Sequence, residues 1–542
     1  MNLKEKGFSE KLALSALLIF LSGVAAAMIG FAFGASLSPL TAAIAAAALL
    51  GISFFCDKKL FLGCLVNFAL LGIFALVCRY MFDWSYDGMY YHKQAVITLK
   101  EGWNPLYKSS LDCDVFASYP NMALWLDNYP KGLWIFSAII YSVTGHLETA
   151  KAVNILFISA LFFAGVDLLK NTYNFSKGKS LFFAFILIIN PVFLSQALTF
   201  YNDLTVGVLT ALAVIFCLKL YRGTASLCTY MSIAAITLIS PLIKFTSPGL
   251  LAIIYIVFGT ACALKHKDDL KWLIKPVSVI ICSFIVSLSL FGFDPYVEHI
   301  MNGQHLLHPA AGKDKYDIMN TNPPKGFENL SGVERVLISV FSKSSNVIEE
   351  EPQLKIPFSV SKSEFKELAN PDTRIGGFGI FFSAALCLSA ATLAAFLIMK
   401  NKLSAETGIV LAMLLILTLF FPQSWWARYA SFIYYLPVCA MIAAVREKRL
   451  RLFVGAISVV FIVNSAVTAA SVISAGLKTT EYINSKLAEI KAENKKIVVR
   501  VNDFPTHVKL FEEAGIDFEI SHKSIAPGEE IFYRNTKYKY ID

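Results

Sequence analysis

The run LFLGCLVNFALLGIFALVCRY, residues Leu60 to Tyr80, is followed a few residues later by YDGMYYHKQAVITLKEGWNPLY, residues Tyr86 to Tyr107. About 20 apolar residues are what a helix needs to cross the hydrocarbon core of a bilayer. An aspartate, an aromatic cluster and an Asn-Pro turn therefore come straight after a predicted membrane span. This arrangement indicates chemistry at a membrane surface.

The composition of the whole chain indicates a membrane protein. Of its 542 residues, 56% are hydrophobic and only 16% are charged, and the mean hydropathy is +0.59. Soluble globular domains are about 45–50% apolar, so this chain is too apolar for that class. The net charge of +9 lies in short basic clusters between apolar runs, a pattern typical of cytoplasmic loops. We therefore expect no nucleic-acid partner.

The apolar runs predict an all-α polytopic membrane protein with about 13 transmembrane helices. The predicted spans are Lys11–Gly34, Leu37–Phe55, Leu60–Tyr80, Ala150–Leu169, Leu181–Leu198, Leu204–Leu220, Tyr230–Ile243, Pro248–Leu264, Leu273–Phe291, Gly377–Met399, Ser404–Phe421, Tyr429–Val445 and Leu452–Ala475. The first run exceeds the 7–15 residues of a signal-peptide core, so we expect it to stay in the membrane.

The basic residues predict the orientation, because cytoplasmic loops carry an excess of Lys and Arg. A cytoplasmic N-terminus places every short basic loop on the inner side, provided that the short apolar segment Leu133–Val143 is a juxtamembrane helix on the outer face. Outer loops 81–149 and 292–376 then belong to a transmembrane domain of residues 1–475, and the C-terminus is extracytoplasmic.

The tail, residues 476–542, changes character and is predicted to be a small extracytoplasmic α/β appendage. Alternating residues predict a strand at Ile497–Val501, and a helix-like run around His507–Ala514 precedes the strand-like DFEI at Asp517–Ile520. The tail carries no chemical motif, so we interpret it as a packing module or an acceptor-contacting module.

Several short motifs follow the early spans in a fixed order. Asp87 comes just after the third span, Tyr91 and His92 follow it, residues 102–107 read GWNPLY, and Asn128-Tyr129-Pro130 precede the short apolar helix. Together they resemble the first outer loop of the GT-C superfamily of integral membrane glycosyltransferases. This resemblance implies the GT-C type of transmembrane fold.

Three further motifs lie at later predicted outer helix ends: Tyr201-Asn202-Asp203, Lys244-Phe245-Thr246 and Arg428-Tyr429. With them the resemblance covers the chain from about Leu60 to Ala475. The chain departs from the superfamily at Gly88, because many members have a second acidic residue at this position. Asp83 is then a possible substitute for that second acidic residue.

The resemblance implies that a sugar passes, with inversion, from a polyprenyl-phosphate carrier to a cell-envelope glycan, lipid or protein at the outer face of the bacterial inner (plasma) membrane. Such a transfer needs a positioned base for the acceptor hydroxyl and cations for the departing phosphate. The candidate base is Asp87, and the candidate phosphate binders are Lys244 and Arg428. The remaining expected substrate-binding residues are Tyr91, His92, Asp203, Trp103 and Tyr129.

Plainer interpretations of the same residues stay open. Asp87, Asp83 and Asp203 could each be a solvated helix cap, as is common for aspartate at a helix end. Lys244 could extend to the membrane interface. Arg428 could anchor at that interface beside Trp425 and Trp426.

A divalent cation is the one cofactor that the sequence leaves open. Asp112, Asp114 and Asp127 offer hard oxygen ligands, although a solvated loop explains them as well. His299, His305 and His308 lack an acidic or cysteine framework nearby, which favours polar loop residues over a metal site. We assign no metal ligand.

Two alternative functions remain. An O-antigen-type polymerase or ligase would act on a polyprenyl diphosphate oligosaccharide, but it would need an arginine-rich outer loop, and residues 292–376 contain only Arg335 and Arg374. A membrane transporter would place charges in the middle of its spans and show inverted repeats. We expect the long second loop to act as a lid or to bind the acceptor.

Overall fold

The computed structural model describes residues 7–113, 120–313, 315–316, 321–501, 503–521 and 528–541. It is mostly helical, with 68% of residues in helices, and ends in a small β-sheet. The predicted all-α bundle with a small C-terminal α/β appendage is confirmed at this level.

Eight helices in the described part of the chain are long and apolar enough to cross a membrane. They are Phe8–Ala32, Pro39–Cys56, Lys58–Arg79, Leu147–Thr172, Asp203–Arg222, Thr246–Lys265, Leu270–Phe291 and Lys448–Ala492. These helices are compatible with a membrane protein.

The number of clear spans is thus smaller than the 13 predicted. The shorter apolar helices, of 10–17 residues, are Gly132–Thr144, Leu227–Leu242, Phe382–Ile398, Ala405–Phe420 and Ser431–Ala444. The predicted span Leu181–Leu198 is divided at Asn190-Pro191 into two helices, because proline lacks the N–H that would continue the helix. Apolar length in the sequence therefore overestimated the length of individual helices.

We number the regular α-helices and strands in chain order and leave out the short 3₁₀ and π segments that extend some of them. The helices are α1 (Phe8–Ala32), α2 (Pro39–Cys56), α3 (Lys58–Arg79), α4 (Lys93–Lys100), α5 (Pro120–Asn128), α6 (Gly132–Thr144), α7 (Asn154–Asp167), α8 (Lys177–Ile188), α9 (Pro191–Gln196), α10 (Asp203–Arg222), α11 (Leu227–Ile239), α12 (Thr246–Lys265), α13 (Ile274–Val286), α14 (Glu298–Met301), α15 (Gly332–Val340), α16 (Lys362–Glu367), α17 (Phe382–Ile398), α18 (Ala405–Phe420), α19 (Tyr435–Ala444), α20 (Arg451–Ala492) and α21 (Val508–Ala514). The strands are β1 (Lys496–Arg500), β2 (Phe518–Ser521), β3 (Glu530–Tyr533) and β4 (Thr536–Ile541).

The bundle has a buried centre and an apolar outer surface. Helices α1, α7 and α10 are mostly buried, whereas few residues of α2, α3 and α13 are buried. The exposed side of α2 carries Leu40, Ile44, Ile52 and Phe55. Exposed apolar surface of this extent marks a face that contacts lipid or another protein.

The tail packs on the loop after α3. Its sheet has the order β2-β1-β4-β3, with β1 parallel to β2 and antiparallel to β4. Phe82 and Met89 of the loop join the apolar core of the tail, and the Thr506 hydroxyl donates to the Met89 carbonyl at 3.0 Å. The predicted strand at Ile497–Val501 corresponds to β1, while the hairpin β3–β4 was not predicted.

Candidate functional site

Five charged side chains meet at one end of the bundle. Asp87 follows α3, Asp203 begins α10, Lys244 lies two residues before α12, Asp372 precedes α17, and Arg428 lies between α18 and α19. We call these five residues the charged cluster. Four of the five, Asp87, Asp203, Lys244 and Arg428, are site residues predicted from the sequence. They come from distant parts of the chain.

Arg428 is the centre of the cluster. Its Nη1 atom lies 3.0 Å from Asp87 Oδ2 and 2.6 Å from Asp372 Oδ1, and its Nε atom lies 3.8 Å from Asp203 Oδ2. The contact with Asp372 is an ion pair without a well-directed hydrogen bond, since Asp372 Oδ1 has no hydrogen-bond partner among the described residues. Arg428 thus contacts three carboxylates from three separate segments.

Lys244 completes the cluster from the neighbouring helix end. Its Nζ atom lies 2.5 Å from Asp203 Oδ1 and 4.1 Å from the centre of the Tyr429 ring. Burial lowers the pKa of Lys244, but the Asp203 carboxylate outweighs this effect and the pKa rises. The Lys244 side chain is only 11% exposed, so it does not extend to the membrane interface.

Local hydrogen bonds hold these segments in place. The Asn202 amide donates to the Ile243 carbonyl at 3.0 Å, which fixes the start of α10 beside Lys244. The Asp87 N–H donates to the Tyr201 hydroxyl at 3.4 Å. Asp203 lies in the first turn of α10, where the helix dipole favours a negative charge.

Asp83 is a structural residue, so its interpretation as a solvated cap is wrong. It is fully buried, and its carboxylate accepts from the backbone N–H of Ser85 at 2.8 Å and of Phe200 at 3.0 Å. A Cβ atom on Gly88 would lie 2.2 Å from Asp83 Oδ2 and 2.1 Å from Ser85 Oγ. Gly88 therefore stands where the buried Asp83 leaves no room for a second acidic side chain.

Tyr91 and His92 lie in an aromatic cluster beside the charged cluster. The Tyr91 ring stacks on Trp125 with ring centres 5.8 Å apart, and the His92 Nδ1 atom accepts from the Trp134 indole at 2.7 Å. Burial lowers the pKa of His92 to about 3, so the ring is neutral near pH 7. The neutral ring carries its proton on Nε2, which is buried and has no hydrogen-bond partner in the described part of the chain.

Tyr129 joins this aromatic cluster, but Trp103 does not. The Tyr129 ring lies 6.2 Å from the Tyr91 ring, and burial raises its pKa to about 12. Trp103 is buried elsewhere and donates from its indole to the Lys108 carbonyl at 2.9 Å. Among the described residues no contact joins Trp103 to the charged cluster.

Asp372 and its neighbour Arg374 were not predicted from the sequence as site residues. Arg374 donates to the side-chain oxygens of Asn346 and Asn322, both at 2.6 Å, and lies over the Trp426 ring at 4.9 Å. Both residues belong to the sequence NPDTR just before the predicted span Gly377–Met399. The sequence signal that could have identified them is a pair of charged residues beside an Asn-Pro turn, just before a predicted span.

An open cleft of about 450 Å³ adjoins the charged cluster. The first loop contributes Trp84 and Tyr86 to its wall, the second loop contributes Asp372 and Arg374, and the tail contributes Arg534. A cleft of this volume falls within the range of small-molecule sites. The first loop, the second loop and the tail therefore line a common space that reaches the charged cluster at Asp372.

The predicted candidates for a cation site have other partners. The Asp127 carboxylate accepts from Ser109 Oγ at 2.6 Å and from the Ser110 N–H at 2.7 Å, and Asp114 lies outside the described residues. His299 contacts the Leu306 carbonyl and the Asn128 side chain. The described ranges contain no group of three His, Cys, Asp or Glu side chains that could hold a metal ion.

Replacing Asp372 by Asn is expected to change how stability depends on pH. Burial raises the pKa of Asp372 from 3.8 to about 6, although Arg428 lowers it. A raised pKa means that the folded state holds the proton more tightly, so this contribution to stability is present below pH about 4 and is lost as the pH rises through about 6. The full effect is on the order of 3 kcal/mol at about 1.4 kcal/mol per pKa unit.

The measurement is the melting temperature in detergent from pH 4 to pH 7. The wild type should lose stability relative to Asp372→Asn as the pH rises. Asp268→Asn, which changes an exposed aspartate between α12 and α13, is the control and should leave the profile unchanged. A relative gain of the wild type with rising pH would contradict the proposed environment of Asp372.

Comparison with known proteins adds no relative. The chain matches no protein-family model, no curated protein and no solved structure. A functional proposal must therefore come from the charged cluster and the cleft beside it.

Proposed function

We propose that this protein is an integral membrane glycosyltransferase of the GT-C type, which moves a sugar from a polyprenyl-phosphate carrier to a cell-envelope glycan, lipid or protein at the outer membrane face. The supporting observation is that Asp87, Lys244 and Arg428, selected separately for a base and two phosphate binders, meet in one cluster. The proposal includes the predicted inversion, the extracytoplasmic tail and the inner-membrane location.

Asp87 is the group that accepts the proton in this proposal. Its side chain is 23% exposed, against 3% for Asp203 and 14% for Asp372. An acceptor hydroxyl can therefore reach Asp87 more easily than the other two carboxylates. The hydroxyl oxygen forms the new bond to the anomeric carbon while its proton passes to Asp87, and the bond between that carbon and the phosphate oxygen breaks.

The departing phosphate carries the electron pair of the broken bond, and the cations stabilise it. Arg428 Nε and Arg374 Nε are buried N–H groups that have no hydrogen-bond partner in the described part of the chain. Charge-assisted hydrogen bonds from guanidinium groups to phosphate are among the strongest in proteins. These two N–H groups, together with the Lys244 ammonium, are the donors that we assign to the leaving phosphate.

The charged cluster and the neighbouring Arg374 are together balanced in charge before substrate binds. Asp87, Asp203 and Asp372 supply three negative charges, and Lys244, Arg428 and Arg374 supply three positive ones. A phosphate that enters must compete with a carboxylate for Arg428. We expect Asp372 to release Arg428, because its Oδ1 atom contacts Nη1 without a well-directed hydrogen bond.

The cleft is the proposed acceptor site. Its Tyr86 side chain is nearly half exposed, and aromatic faces suit the apolar faces of sugar rings. The second outer loop supplies one wall and the tail another, which agrees with the expected roles of these segments in acceptor binding.

The two alternatives gain no specific support. Arg374 is the one arginine of the second loop that reaches the charged cluster, whereas an O-antigen-type enzyme would need several for a diphosphate. The buried ion pairs of Lys219 with Glu10 and Asp167 lie near the ends of their helices rather than in mid-span. Their position suits a structural link between helices better than a transport path.

The first test compares, by mass spectrometry, the envelope glycans of cells with and without this protein. The second is a transfer assay with purified enzyme and a polyprenyl-phosphate sugar. We expect loss of one sugar mass in the cells and its transfer in vitro. An unchanged set of glycans together with no consumption of any polyprenyl-phosphate sugar would overturn the proposal.

The predicted topology can be checked independently with single cysteines. Lys313→Cys in the second loop should react with a membrane-impermeant maleimide in intact cells, whereas Lys267→Cys should react only after the membrane is opened, because the basic loops lie inside. The unmodified protein measures the background from its ten native cysteines. The reverse labelling pattern would contradict the orientation.

A further inference from the structure

A second crevice lies at the end of the bundle opposite the charged cluster. Helix α10 links the two sites, since it begins at Asp203 and ends at Arg222, which lines the crevice. At a rise of 1.5 Å per residue these two residues are about 28 Å apart, close to the thickness of a hydrocarbon core, about 30 Å. The crevice is therefore separate from the proposed transferase site.

The mouth of this crevice is basic. Arg222, Lys402 and Arg446 line it, together with Glu406 and Glu447. Arg222 pairs with Glu406 at 2.8 Å, and Arg446 donates to a backbone carbonyl at 2.8 Å rather than to a carboxylate. Within the described residues Lys402 has neither an ion pair nor a hydrogen bond.

The interior of the crevice is apolar. Its volume is about 420 Å³, and it adjoins a smaller cavity of about 100 Å³ between α10, α18 and α19. The residues that line both spaces are Leu168, Leu169, Leu218, Val410, Cys439 and Ile442. A hydrocarbon chain fits such walls, and a free anion does not.

We propose that this crevice binds an anionic phospholipid of the inner leaflet, with the phosphate at Lys402 and Arg446 and one acyl chain in the apolar interior. Two features favour this occupant over a zwitterionic lipid or a peptide. The two arginines and Lys402 outnumber the two glutamates, and basic pockets between transmembrane helices on the cytoplasmic side bind anionic headgroups. The proposal depends on the membrane placement of the protein and not on the transferase chemistry.

The test is native mass spectrometry of the delipidated full-length protein with phosphatidylglycerol or with phosphatidylcholine of the same acyl chains. We expect one phosphatidylglycerol to remain bound, with an apparent affinity on the order of tenfold higher than that of phosphatidylcholine. Equal binding of the two lipids would overturn the proposal, and so would displacement of phosphatidylglycerol by millimolar inorganic phosphate.

Two variants examine the two halves of the site. Lys402→Gln with Arg446→Gln should abolish the preference for phosphatidylglycerol. The control, Lys267→Gln with Lys271→Gln, removes the same charge from a neighbouring basic loop and should keep the preference.

Ala443→Phe should block the crevice and release the lipid, whereas Ala47→Phe on the exposed face of α2 should not. The proposed site is wrong if the Lys267 and Lys271 variant also loses the preference for phosphatidylglycerol, or if Ala47→Phe also releases the lipid. Either result would mean that the lipid binds to the general surface.

Discussion

Asp87→Asn is expected to lower sugar transfer by about 100-fold or more, which is the usual contribution of a positioned general base. The amide keeps the size of the side chain, and its oxygen can still accept the hydrogen bond that Arg428 donates at 3.0 Å. It cannot take the proton of the acceptor hydroxyl. Binding of the polyprenyl-phosphate donor and the melting temperature should therefore change little, while the turnover rate of purified enzyme falls.

Asp83→Asn is the matched control for this experiment, because Asp83 is four residues away and belongs to the same loop. Its carboxylate holds two backbone N–H groups, so the variant should lose thermal stability while the molecules that remain folded keep most of their turnover. Near-normal transfer by Asp87→Asn, with collapse of Asp203→Asn instead, would assign the base to Asp203.

Arg428→Ala is expected to affect both folding and catalysis. Removing one partner of a buried ion pair typically costs about 3–5 kcal/mol, and here Asp87, Asp203 and Asp372 would all lose a cation. Loss of a donor to the leaving phosphate would raise the barrier by about 2–4 kcal/mol as well, by analogy with a lost oxyanion-hole donor. The melting temperature measures the first effect, and single-turnover transfer by the folded fraction measures the second.

Two milder variants separate these effects. Arg428→Lys keeps the charge but removes the planar guanidinium and its unpartnered Nε donor, so it should recover stability more than transfer. Lys244→Ala should lower donor use, and Lys244→Arg should retain part of it. If Lys244→Ala and the folded fraction of Arg428→Ala both transfer sugar at the normal rate, these residues are structural ion-pair partners and not phosphate binders.

The sequence predicted that four charged residues lie at the same end of the bundle, but not that Asp372 joins them or how they are paired. Asp87, Asp203, Lys244 and Arg428 stand next to apolar runs, and a topology from basic loops places all four at the same end of the bundle. Their mutual ion pairs depend on side-chain distances that no periodicity encodes. The same limit explains why Lys244, buried against Asp203, could be mistaken for a lysine that extends to the interface.

Other errors came from residues whose role depends on distant backbone. Asp83 holds the N–H of Phe200, which is 117 residues away, so no local pattern could distinguish it from a solvated cap. Trp103 matches a motif but packs against its own loop. Asp372 was missed because the second loop has no strong periodic signal and its structure depends on contacts with the other outer segments.

Helix α20 runs unbroken for 42 residues, from Arg451 to Ala492, and contains no proline. At 1.5 Å per residue it is about 63 Å long, roughly twice the hydrocarbon thickness of a bilayer. It continues past the predicted domain boundary at residue 475, where Gly476 packs so closely on Trp84 and Met81 that a Cβ atom would lie 2.7 Å from Met81. A stiff rod fixed in this way holds the sheet of the tail at a constant height above the bundle, so entry to the cleft would have to be controlled by movement of the second loop and not by a swing of the tail.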